Sequence, residues 1–189
     1  MSASPLAIDT LRDMDRQSFV EFECRNRQAF EQFNRARGDH YYTPAGLDEA
    51  FDRLLNRQLN HQLHVWVLRH RRGHWLGRAI LFDHDRLHQP WGLLAYQTDL
   101  DHCRLGVATQ LVRQCVCEAV ALGHAWLDAQ VTTDNVASLA VLSRCGFQHS
   151  AADEVVELAR GRVATLRLRR VIQLPHPGRL HRADVRSAS

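Results

Sequence analysis

Between Cys103 and Gly123 the chain reads CRLGVATQLVRQCVCEAVALG, a short loop bearing one glycine that runs directly into a stretch of helical periodicity. Val107, Leu111, Val112, Cys115, Val116, Ala119, Val120 and Leu122 recur at the spacing of one helix face, and Gly123 supplies a stop. The first turn of a helix leaves backbone N–H groups without partners, aligned with the positive end of the helix dipole. Gly106 allows a ligand to approach that backbone closely, and Ala108 and Thr109 are small enough to leave the approach open. The stretch therefore predicts an anion site at the start of an amphipathic helix. Trp91 to Leu100 reads as a strand before it and Ala125 to Val131 as a strand after it. The three make a βαβ unit with the loop at the C-terminal end of a sheet strand, where ligands of such folds bind.

The remaining segments extend this unit into an α/β domain whose sheet is largely antiparallel. Ser4 to Leu11 reads as a strand, and Arg12 to Phe33 as a helix broken near Asn26. Ala36 to Tyr42 is a polar loop with two tyrosines. Thr43 followed by Pro44 is a cap and first-turn proline that opens a helix running to about Asn60. Leu63 to His70 and Trp75 to Asp83 are strands joined by the turn at Arg71 to Gly73, and Glu154 to Ala159 and Arg162 to Ile172 form a hairpin at Gly161. Thr133 or Asp134 is the expected cap of a helix that begins near Asn135 and ends at Cys145 and Gly146. With 189 residues, 45% of them hydrophobic, one domain over residues 1–172 is expected, followed by a mobile tail, Gln173 to Ser189.

Composition narrows the function classes. A formal charge of +3 is too small for a nucleic-acid binder, and the 24 basic residues, all arginine, are not gathered into a patch. Cys115 and Cys117 stand two apart on a helix and face different ways, and the pairs His61 with His64 and His84 with His88 have no supporting ligand set. No metal site is read. No signal-type segment or membrane-spanning run is seen, and the five cysteines are irregularly spaced, so a cytoplasmic protein is expected.

Downstream of the loop, Asn135 to Phe147 reads NVASLAVLSRCGF. The two stretches together resemble the acyl-CoA-dependent N-acetyltransferases of the GNAT superfamily, and within it the branch that acetylates the N-termini of ribosomal proteins. Gly106 and Ala108 match the last two signature positions of that family's loop, while Cys103 stands at its Gln/Arg position and Arg104 at a frequent glycine. The resemblance covers roughly Leu94 to Ile172 well and the N-terminal part loosely, through the segment NRQAFEQF.

That resemblance implies a mixed, largely antiparallel sheet, acetyl-CoA as co-substrate and the CoA pyrophosphate on the backbone of Arg104, Leu105, Gly106, Val107, Ala108 and Thr109. It implies pantetheine pairing with Thr98 and Leu100, a CoA-side role for Asn135, and Ser138 facing the CoA sulfur to protonate the departing thiolate. Tyr41 and Tyr42 fall on the acceptor wall, a homodimer is plausible, and Glu157 falls at the family's general base. Period-two alternation puts Glu157 on one face with Val155 and Ala159, where apolar neighbours are expected to desolvate it partly and raise its pKa.

The implied chemistry is direct attack of an amine on a thioester, so no covalent nucleophile is needed. A free α-amine, with pKa about 7.7 to 8.0 against about 10.4 for lysine, costs about 3.4 kcal/mol less to present neutral. An N-terminal α-amine of a protein or peptide is the expected acceptor. A small amine such as an amino-acid derivative, antibiotic or peptide toxin is the alternative, and a non-catalytic CoA-binding protein is a third reading, suggested by Cys103 and Arg104.

Overall fold

A computed structural model describes residues 6–86, 89–150 and 154–172. In chain order β1 (Leu6–Thr10) leads through one turn into α1 (Arg16–Phe33). A 3-10 turn at Asp39–Tyr42 precedes α2 (Pro44–Leu59), and β2 (Leu63–His70), β3 (Trp75–Arg86) and β4 (Gln89–Thr98) follow. Then come α3 (Val107–Ala121), β5 (Trp126–Thr132), α4 (Val136–Arg144), the two-residue β6 (Gln148–His149), β7 (Glu154–Leu158) and β8 (Gly161–Val171). The first two residues of the expected Ser4 strand and the whole Gln173 to Ser189 tail lie outside the described residues.

The sheet runs β1-β2-β3-β4-β5-β8-β6, with β7 also on β8, and every pairing is antiparallel except β4 with β5. β2 buries residues on both sides, which requires a layer on each face. Val65 and Val67 join Phe19, Phe22 and Phe51 of α1 and α2, whereas Trp66 and Leu68 join Leu111, Val112 and Cys115 of α3. Phe19 meets Phe51 and Trp75 edge-on, with centroids 5.4 and 5.9 Å apart, so the α1/α2 layer is held by aromatic packing. Thr43 caps α2 as its sequence requires, its Oγ1 accepting from Gly46 N at 3.1 Å.

The break expected in α1 near Asn26 does not occur. Asn26 is fully buried, yet its Nδ2 donates to Phe22 O at 2.9 Å and its Oδ1 accepts from Leu100 N at 2.9 Å. A polar residue on the helix's inner face therefore marks a link to the end of β4 rather than an interruption. A second correction concerns α4: Asn135, not Thr133 or Asp134, is its N-cap, with Oδ1 accepting from Ser138 N at 3.0 Å.

The parallel contact between β4 and β5 is short. It comprises Trp91 with Trp126, Gly92 with Leu127 and Leu93 with Asp128, and beyond these the two strands part. Gly92 permits that contact. A Cβ placed there would stand 2.4 Å from Leu81 Cδ1 and 2.7 Å from Leu127 Cδ2, too close for either. Beside it His124, buried between α3 and β5, sets its Nε2 3.1 Å from Asp83 Oδ1, and Asp83 Oδ2 meets His64 Nε2 at 2.9 Å.

Burial holds the His124 imidazole below its ordinary pKa, with Asp83 opposing and His64 assisting. The stability that neutral His124 contributes is complete above the unfolded value of about 6.5 and is lost as pH falls below it. Chemical denaturation between pH 8 and pH 5 should show wild-type stability falling in the acidic half of that range. In His124→Asn the fall should be visibly shallower.

Candidate active site

The β4 strand ends at Thr98 and the chain turns sharply. Asp99 is wholly buried and organises that turn: Oδ1 accepts from Asp101 N at 3.0 Å, and Oδ2 accepts from Arg25 Nε at 2.9 Å. Burial alone would raise its pKa, but the Arg25 guanidinium and the Asp101 N–H outweigh this and hold the carboxyl below its usual range. With Asn26 holding Leu100 N, α1 grips the turn at two adjacent points. The chain then passes through Arg104 and Gly106, with φ of 64° and 78°, before α3 begins at Val107. Two left-handed residues so close together turn the loop back on itself at the N-terminus of a 15-residue helix.

A cavity of about 560 Å³ opens over this loop. Its walls are Thr98 and Leu100, the loop and helix start from His102 to Thr109 without Leu105, the α4 residues Ala137, Ser138, Val141 and Arg144 with their cap Asn135, and Ala29, Phe30, Phe33 and Asn34 of α1. A smaller cavity of about 110 Å³ lies in the splay, between Leu94 to Tyr96 on β4 and Ala129 to Thr132 on β5. Both cavities touch Phe33, Asn34, Tyr96, Asn135 and Ser138, so these residues mark their junction. There Tyr96 Oη lies 2.6 Å from Ser138 Oγ. Burial pushes the Tyr96 hydroxyl up to about 12, with the Ser138 hydrogen bond pulling weakly the other way, so the pair holds its protons at neutral pH.

Nine of the thirteen residues singled out from sequence line the larger cavity: Thr98, Leu100, Arg104, Gly106, Val107, Ala108, Thr109, Asn135 and Ser138. Leu105 points out, 63% exposed. Leu100 lines the cavity from a 3-10 turn rather than from a strand, and its N–H is engaged by Asn26. Tyr41 and Tyr42 line neither cavity; their rings meet edge-on at 5.0 Å, and Arg37 and Arg27 lie over them at 4.5 and 4.2 Å. They staple the turn before α2.

Glu157 is the larger correction. On β7 the inward residues are Val156 and Leu158, while Val155 and Glu157 are exposed, so the expected desolvation is not found and Glu157 lines neither cavity. The strand's phase is one residue from the expected one. The carboxylate in the same alternate set as Val156 and Leu158 is Glu154, itself exposed, which accepts from Gln130 Nε2 at 3.1 Å and from Arg167 at 2.8 Å.

Sequence reasoning passed over Tyr96, Asn34, Gln130 and Arg144. Tyr96 carried a usable signal, since it shares the period-two phase of Thr98. The others reach the site only through tertiary contact.

A diverging parallel strand pair, a left-handed loop opening a helix and a pair of protonated hydroxyls where two cavities meet are thus gathered at one site, and the class of protein that carries them is an acetyltransferase. The chain belongs to the GNAT acetyltransferases: the family's acetyltransferase (GNAT) domain matches residues 6–148. It is an N-acetyltransferase by that kinship. It is 26% identical over 149 residues to a probable N-acetyltransferase, YjcK, of Bacillus subtilis, covering 78% of this chain and 82% of that one. The fold is shared with the ribosomal-protein-S5-alanine acetyltransferase of Vibrio fischeri, with a TM-score of 0.82 at 15% identity over 91% and 96% of the two chains. It is shared also with the spermidine N-acetyltransferase of Vibrio cholerae in complex with CoA and spermine, with a TM-score of 0.72 at 16% identity over 90% and 97%.

The grip of α1 on the loop is testable. Asp99→Ala leaves Arg25 without its buried partner and should destabilise the protein by about 3 kcal/mol, the lower end for a broken pair because Arg25 is partly solvated. Urea denaturation reads that loss, and calorimetric titration with CoA should show weaker binding.

Proposed function

We propose that the protein transfers an acetyl group from acetyl-CoA to the N-terminal α-amine of a peptide or protein, within the cytoplasm. The observation that carries this reading is the junction of the two cavities at Tyr96 and Ser138, where the smaller chamber has an uncharged lining among the described residues. The larger cavity suits the carrier. Its helix start offers backbone N–H groups to a pyrophosphate, and Arg104 and Arg144 add positive charge along the wall. The β4 edge that faces the splay has no strand partner beyond Leu93, which suits a pantetheine amide added as a strand.

In that pose the thioester lies at the junction. The amine nitrogen attacks the carbonyl carbon, the C–S bond breaks, the nitrogen loses a proton to water and the thiolate gains one. In this reading the hydrogen-bonded Tyr96 and Ser138 pair gives that proton and regains it from solvent. Glu157 has no part in this scheme, being exposed away from both cavities.

The neutral chamber supports an α-amine over a polyamine. An α-amine of pKa about 8 is partly neutral in the cell, whereas each further ammonium of a polyamine would be buried there at a cost. A chamber of about 110 Å³ also favours a small first side chain. The five free cysteines support the reducing compartment.

The test is thiol release from acetyl-CoA with an alanine-initiated peptide and with spermidine, followed by mass spectrometry of the product. Turnover of the peptide with acetate on the α-nitrogen is expected. A response to spermidine and small free amines alone would overturn the reading. Tyr96→Phe and Ser138→Ala should each lower kcat about a hundredfold, the modest end for general-acid help, and leave CoA affinity unchanged by calorimetry.

A further inference from the structure

The geometry points to Gln130 and Asn34 as paired hydrogen-bond acceptors that hold the two N–H groups of the attacking amine. The inference rests on the acetyl-transfer reading above and assigns the part of that site which recognises the nucleophile.

Gln130 stands on β5 two residues beyond its last pairing with β4, and it lines the smaller cavity. Its Nε2 donates to Glu154 Oε2 at 3.1 Å and to Thr165 Oγ1 at 3.0 Å. The Thr165 hydroxyl hydrogen is itself committed to Glu154 O at 3.1 Å, so Thr165 has only lone pairs to offer Gln130. Glu154 is fixed in turn by Arg167. Both amide hydrogens of Gln130 are thereby engaged, and a flipped amide would set its oxygen against a carboxylate. The one hydrogen-bonding capacity left on the side chain is acceptance at Oε1.

Asn34 brings a second amide to the cleft from α1, with one of its amide hydrogens engaged. It is the C-cap of α1, its Nδ2 donates to Phe30 O at 2.7 Å, and it lines both cavities. Its Oδ1 is a carbonyl acceptor on a residue that lines both cavities.

A neutral primary amine carries two N–H groups and one lone pair. Two carbonyl acceptors that take the hydrogens leave the lone pair for the thioester carbon. Neutral acceptors suit this task better than carboxylates, since a negative charge beside the amine would favour the unreactive ammonium form. The nitrogen forms its bond to the acetyl carbon as the C–S bond breaks. Its surplus proton passes to water, and the thiolate takes the proton of the Tyr96 and Ser138 pair. The acceptor class that follows is a primary amine with both hydrogens available; a secondary amine fills one arm of the cradle and leaves the other empty.

Steady-state kinetics with two peptides, one beginning with alanine and one with N-methylalanine, test this. Wild type should prefer the alanine peptide. Gln130→Met keeps the length and apolar contacts of the side chain and removes the acceptor. It should raise the KM for the alanine peptide about 3- to 10-fold, as expected for one lost hydrogen bond, without changing the KM for acetyl-CoA. It should also narrow the preference over N-methylalanine. Thr165→Val, which leaves Gln130 in place but frees one amide hydrogen to turn toward the cleft, should raise the same KM about threefold. An active wild type with peptide KM and N-methyl preference unmoved in Gln130→Met would overturn the cradle and leave acetyl transfer standing. A wild type inert toward every amine would overturn both.

Discussion

The site depends on a parallel pairing that stops early. Three residue pairs join β4 to β5, and after Leu93 and Asp128 the strands separate. Had the ladder continued to Thr98, β4 would have spent its main-chain groups on β5, and neither the smaller cavity nor the junction at Tyr96 and Ser138 would exist. Gly92 makes the contact tight where it is made, since a side chain there would meet Leu81 and Leu127 from both sides. The antiparallel β8 keeps β5 in the sheet by pairing along its whole length, from Trp126 to Thr132, so β5 leaves one neighbour without fraying from the other.

An opened sheet needs something to fix its free end, and α1 does this with polar groups in buried positions. Arg25 and Asn26 hold Asp99 and Leu100, and one turn earlier Glu23 lies wholly buried between Arg37 and Arg78. Arg78 in turn donates to Gln97 Oε1 at 2.6 Å, on the strand that leads into the loop. Buried ions of this kind add little net stability but cost heavily when one partner is removed, so they set geometry more than they set free energy. Here the geometry they set is the angle at which the chain leaves β4 and enters α3.

Much of this was legible in the chain itself. The helix from Val107 announced itself through its apolar spacing, and the loop that opens it through a glycine placed just before it. The Asn135 to Phe147 segment was equally informative, although the cap turned out to be Asn135 itself, because an Asn side chain one residue later closes the same turn. Local patterns failed where two phases looked alike. In Glu154 to Leu158 either alternate set carries a valine and a glutamate, and only the anchoring of the hairpin settles which set turns inward: Arg160 Nε donates to Gln32 O at 2.7 Å, and its guanidinium pairs with Asp134. In that phase Glu154 meets Gln130, while Glu157 lines neither cavity.

Periodicity and caps are local properties, fixed by neighbours within a turn or two of chain, and from them the sequence by itself determined the order of elements, the βαβ unit and the glycine-bearing loop that opens α3. The meeting of Tyr96 with Ser138, 42 residues on, and of Gln130 with Thr165, 35 residues on, is not local. Those pairs exist because two strands diverge by a definite amount and a helix from the far N-terminal side closes over the gap. The extent of that divergence is set by packing across the whole sheet, which is why only the tertiary structure decided which polar groups come together beside the cavities.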